Sequence, residues 1–111
     1  MQERSAVRIV PRNPITVALQ EAGAPFAYGV VANISEGGAC IWTNARLEPG
    51  RSLALRLSFP KGSQPVQADG VVIWVEAESQ TTAEGLRYGI QWSGQTPGRS
   101  ERLTRMITAA A

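Results

Sequence analysis

Histidine is absent from the chain, and cysteine and lysine occur once each, as Cys40 and Lys61. The missing histidine removes the commonest general base and the commonest metal ligand. A lone thiol forms no internal disulfide, which fits a reducing cytoplasm, and without histidine beside it a Cys/His zinc site is excluded. No stretch approaches the ~20 apolar residues of a membrane-spanning helix. The longest apolar run, VVIWV at 71–75, has the length of a buried strand. The opening residues, MQERSAVRIV, carry charge but lead into no apolar segment of the signal-peptide kind. Neither a Walker loop nor a G-x-G-x-x-G phosphate cradle occurs. No pair of acidic residues sits in an obviously apolar setting, so the composition argues against an enzyme.

What remains is one domain's worth of chain, 111 residues with 43% hydrophobic content. Its cations are almost all arginine, ten against the single lysine. Lysine suffices for solubility. Arginine adds a planar fork that binds phosphate bidentately and stacks on flat rings. Arg4, Arg8 and Arg12 fall in the first twelve residues, opposed there by Glu3 alone.

Residues 1–13 read as a polar, basic arm ended by Pro11 and Pro14, and 14–111 read as the folded body. Alternation of period two marks strands over 14–20, 51–59 and 85–92, and β-prone runs bounded by turns mark strands over 26–33, 38–43 and 66–77. EAGAP at 21–25 reads as a turn, and Gly70 as a bulge or a point of close contact. Leu103, Met106, Ile107 and Ala110 recur at helical spacing, with Ser100 or Thr96 as the candidate cap. Six strands without intervening helices predict a small antiparallel barrel or sandwich, covered at an end or face by the C-terminal helix. Trp42, Trp74 and Trp92 lie on strands and read as core or rim packing. Cys40 reads as a small buried residue.

Two motifs stand out against this frame. The arm holds RSAVR, an R-x-x-x-R pair at Arg4 and Arg8; Arg8 and Arg12 repeat the spacing. Between the second and third strands lies NISEGG, an N-x-S-x-x-G at Asn33, Ser35 and Gly38. In this order, on six strands ending in a helix, they resemble the PilZ domain family. RIVPRNPITV, GVVIWV and RYGIQW resemble further stretches of it, with Trp92 where the family usually has Phe. The Arg4/Arg8 register sets PITV at the family's usual distance after the second arginine.

The resemblance implies a six-stranded antiparallel β-barrel with a short C-terminal α-helix. It implies a non-catalytic receptor for cyclic di-GMP, a bacterial second messenger, with no cofactor or metal. The contacts it implies are Arg4, Arg8, Asn33, Ser35, Gly37 and Gly38; Arg12 reads equally as an exposed charge or a phosphate helper. Guanidinium forks match phosphate oxygens and the O6/N7 edge of guanine, and glycines let backbone approach a ligand. Asn33 and Ser35 would face one side if the segment stays extended. The expected mechanism is ordering of the arm across the ligand, which signals to an unidentified effector protein. The expected setting is the cytoplasm, without membrane insertion or nucleic acid. Two other readings stand beside it: a PilZ-like adaptor that binds no nucleotide, and a barrel that binds single-stranded nucleic acid through aromatics exposed among basic residues.

Overall fold

Leu53, Leu55 and Leu57 alternate with Ala54, Arg56 and Ser58, and such a strand hides one face only by stacking on another sheet or closing into a barrel. In the computed structural model it closes. The structure describes residues 9–60, 64–76, 86–94 and 97–110, with helix side chains described over 101–109. The strands are β1 Thr16–Glu21, β2 Ala24–Ile34, β3 Gly38–Thr43, β4 Ser52–Ser58, β5 Val66–Glu76 and β6 Leu86–Trp92, followed by helix α1 Pro97–Ala110. They form a closed antiparallel barrel in the order β1-β2-β3-β6-β5-β4.

The alternation expected from sequence sets the core. Val17 and Leu19, Ile41, the three β4 leucines, Val66 and Val72, and Tyr88 and Ile90 all point inward and are buried. The Tyr88 hydroxyl, buried with them, donates to the Ala45 carbonyl at 2.9 Å and accepts from the Leu47 N–H at 3.1 Å. A buried phenol needs such partners. Leu103 and Ile107 of α1 are buried in the same cluster, with Met106 packed against it, and the helix lies against β5. The apolar stripe of the helix therefore covers the barrel.

Two local expectations shift, and one, at Gly70, is resolved between its alternatives. Residues 21–25 are not a long turn: β1 and β2 meet at Ala22 and Gly23, with φ of 55° and 83°. Left-handed backbone at both central positions is the tight hairpin turn that matches strand twist. The extra residue at Phe26 is absorbed as a bulge between Leu19 and Gln20. The β5 bulge falls at Ile73, between Val72 and Trp74, rather than at Gly70; Gly70 instead lies in close contact beneath Ile90. The helix begins at Pro97, where a proline's missing N–H costs nothing, so Ser100 lies within it and does not cap it. Thr96 lies outside the described residues.

Candidate functional site

The NISEGG corner is held by its own atoms and by β6. The Ser35 N–H donates to the Gly38 carbonyl at 2.8 Å. The Gly37 N–H donates to Ser35 Oγ at 3.1 Å, and that hydroxyl points back to the Gly38 carbonyl at 3.5 Å. From β6, Trp92 Nε1 donates to the Ser35 carbonyl at 3.0 Å and the Trp92 N–H donates to the Gly37 carbonyl at 3.1 Å. Ser35 is 4% exposed, so its hydroxyl serves the turn. The segment is extended only to Ile34, and Asn33 is half-buried on β2 while Ser35 folds back.

The two glycines differ. A Cβ at Gly38 would run into the Ile90 carbonyl oxygen of the paired strand, so close β3–β6 pairing requires glycine there. At Gly37 the nearest heavy atom to an added Cβ is Ser35 Oγ at 3.9 Å. Gly37 is exposed, and its absent side chain leaves main chain open to an approaching molecule.

The N-terminal segment is tied to this corner. The Ile9 N–H donates to the Ile34 carbonyl at 2.8 Å, and the Ile34 N–H donates to the Ile9 carbonyl at 2.9 Å. This antiparallel bridge seats Ile9 one residue from Asn33. Arg4 and Arg8 lie outside the described residues; Arg12 is exposed.

The outer face of the barrel continues the site away from Asn33. Asn33 pairs with Cys40, Cys40 with Gly89, and Gly89 with Trp74. These four positions form one row across β2, β3, β6 and β5, roughly 14 Å from end to end at ~4.8 Å per strand. Cys40 is buried, as expected, and lies in the floor of the row. The Trp74 indole lies against Gly89, where a Cβ would collide with it, and remains 38% exposed. Trp74 is thus a surface aromatic facing the same side as Asn33, not core packing. The Ile73 bulge turns it outward. The sequence hint was Gly89, a small residue in RYGIQW that makes room for a neighbouring ring. The next row pairs Val30, Trp42, Arg87 and Glu76. There Arg87 is bonded to the Glu76 carboxylate and lies 5.5 Å from the Trp42 ring centroid.

An aromatic face, a small-residue floor, an amide side chain and an open glycine turn can hold a flat polar ring. Among the described residues no group of acidic, cysteine or histidine side chains is placed to hold a metal ion, and no helix is long and apolar enough to cross a membrane.

No curated protein matches the chain. Among solved structures, it is similar to the PilZ domain with c-di-GMP of YcgR from Escherichia coli, at a TM-score of 0.77 and 16% identity, covering 98% of this chain and 92% of that one. It is similar to the Bacillus subtilis inhibitor of motility, MotI/DgrA, at a TM-score of 0.74 and 20% identity, covering 98% of this chain and 51% of that one. It is also similar to YcgR in complex with c-di-GMP from Escherichia coli, at a TM-score of 0.76 and 17% identity, covering 97% of this chain and 46% of that one. The chain thus spans about half the length of the latter two, and at these identities the likeness is one of fold. A family model for the PilZ domain matches residues 2–109, and with nearly the whole chain inside that match, this protein belongs to the PilZ domain family.

Proposed function

We propose that the chain is a non-catalytic, cytoplasmic receptor for cyclic di-GMP that passes the signal to a protein partner. The observation that carries this reading is the Ile9–Ile34 bridge. It fastens the residue that follows Arg8 beside Asn33, at one end of a face that Trp74 closes at the other. One guanine stacks on the exposed Trp74 ring, where base–aromatic stacking contributes about 1–3 kcal/mol. Asn33 takes a base edge or phosphate oxygen, and the main chain at Gly37 lies open to the ligand. Ser35 and Gly38 act by fixing the corner, through the hydrogen bonds and close pairing described above. Arg4 and Arg8 supply forks for phosphate and the guanine O6/N7 edge, with Arg12 as a further phosphate partner.

Binding then draws the residues before Ile9 across the ligand, and the altered surface is what the partner reads. Two of the similar solved structures are described as holding c-di-GMP, which supports the ligand class. Calorimetric titration with cyclic di-GMP tests the reading. Saturable heat that is lost in Arg8→Ala and kept in Arg105→Ala, an exposed helix position, supports it. Absence of heat with the parent chain overturns it.

A further inference from the structure

The outer face of β2 departs from the rule that solvent-facing positions of an antiparallel sheet are polar. Phe26, Tyr28 and Val30 are exposed in succession, Tyr28 at 68%. Beside them runs a groove of about 400 Å³ lined by Tyr28, Gly29, Val30, Trp42, Thr43 and Asn44. Its floor is backbone, because Gly29 brings β2 against the Trp42 carbonyl where a Cβ would collide. The Thr43 hydroxyl is turned away: Thr43 Oγ1 donates to the Tyr28 carbonyl at 2.8 Å and accepts the Ala45 N–H at 3.2 Å. What the groove presents is mainly apolar, with the Asn44 amide and the Tyr28 phenol as its polar groups.

Its surroundings are positive. Arg51, stacked over Phe26 at 4.8 Å, is neutralised by Glu21 at 2.8 Å, and Arg87, over Trp42, by Glu76. Glu21 and Glu76 are therefore committed. Arg56 shares a cross-strand row with Ala18 and Tyr28, and Arg46 follows Asn44 by two residues. Both are exposed and neither makes an ion pair among the described residues. Ala18, with its small side chain, leaves the path from Arg56 to Tyr28 low.

We propose that this groove docks an acidic segment of a partner protein, with an apolar or aromatic side chain seated between Tyr28 and Trp42 and carboxylates facing Arg46 and Arg56. Charge selects this occupant. A second copy meeting the same face about a two-fold axis would set Arg46 and Arg56 against their own counterparts. Single-stranded nucleic acid wants successive ring faces along its path, whereas here Val30 offers no stacking and the cations stacked on the rings are already paired. The groove lies one row from the Asn33–Trp74 face and shares no residue with it. The docking stands apart from the receptor reading; only the view that the occupant is that receptor's effector rests on it.

Selection of phage-displayed random peptides on the immobilised chain tests the proposal, followed by affinities for the chain and for Tyr28→Ala and Arg56→Glu variants. The expected pool is rich in Asp and Glu around Leu, Phe or Trp, and each variant weakens its binding by about tenfold or more. Cyclic di-GMP titration of Tyr28→Ala, expected to match the parent, shows that the variant is folded. A neutral or basic pool, no enrichment, or binding that both variants retain overturns the proposal. So does self-association in sedimentation that Tyr28→Ala abolishes, or an oligothymidylate that displaces the pool. If the pool behaves as expected while neither chain binds cyclic di-GMP, the receptor reading fails and the docking surface stands.

Discussion

Ile9 and Ile34 exchange both main-chain hydrogen bonds, at 2.8 and 2.9 Å, although 25 positions of chain separate them (34 − 9). Among the described residues this is the one isolated β-bridge outside the named strands. It sets the residue that follows Arg8 beside the end of β2, next to Asn33. Without it, the residue after Arg8 has no fixed place relative to Asn33.

Breaking the bridge should separate binding from folding. Ile9→Pro removes the donor to the Ile34 carbonyl and restricts the residue before it. One such bond contributes about 0.5–1.5 kcal/mol to stability, so the barrel stays folded in circular dichroism. Affinity for cyclic di-GMP is expected to fall about tenfold or more, an effect of ~1.4 kcal/mol. Ile9→Val, which keeps the amide, should bind like the parent.

Trp74→Ala removes the exposed ring. Binding is expected to weaken by about 1–3 kcal/mol, the range for one stacked base, with little change in melting temperature because the ring lies outside the core. Gly89→Ala should act on the same ring indirectly, since its methyl displaces the indole. Calorimetry on both variants checks this; unchanged affinity in both would remove Trp74 from the site.

The adjacent glycines should split cleanly. Gly38→Ala is expected to destabilise the fold by about 1–3 kcal/mol, as overpacking does, because the neighbour it meets is main chain of β6. Gly37→Ala has open space and should stay within ~0.5 kcal/mol of the parent, while weakening nucleotide binding. Denaturant melts and titrations of the pair check both halves.

Ala22 sits at φ 55° in the β1–β2 hairpin, a conformation that costs a residue with a Cβ roughly 1 kcal/mol. Ala22→Asn creates Asn-Gly, the pair that this turn prefers. A gain of about 0.5–1 kcal/mol in chemical denaturation is expected, with cyclic di-GMP affinity unchanged, since the turn lies at the opposite end of β2 from Asn33.

The barrel was legible because burial has a period. Leu53, Leu55 and Leu57 declare an inward face, and Leu103 and Ile107 declare a helical stripe. The corner was legible as Asn33, Ser35 and Gly38, but its division of labour was not. Whether Ser35 faces a ligand or its own turn depends on where β2 stops, and that is set by pairing with β3 and by Trp92 on a distant strand. Trp74 was hidden for a similar reason. Counting by twos from Val66 through Ala68 and Val72 assigns it inward, and only the bulge at Ile73 reverses the phase. The exposure of Tyr28 was not legible either, because hydrophobicity alone does not tell a packed ring from one left for a partner.

The most direct test is a titration of the chain with cyclic di-GMP followed by nuclear magnetic resonance. The account predicts that the Trp74 indole N–H, the Asn33–Gly38 amides and the Ile9 amide shift together along one saturating curve. A chain whose Trp74 and Asn33 signals stay still while the dinucleotide reaches saturating excess would contradict it.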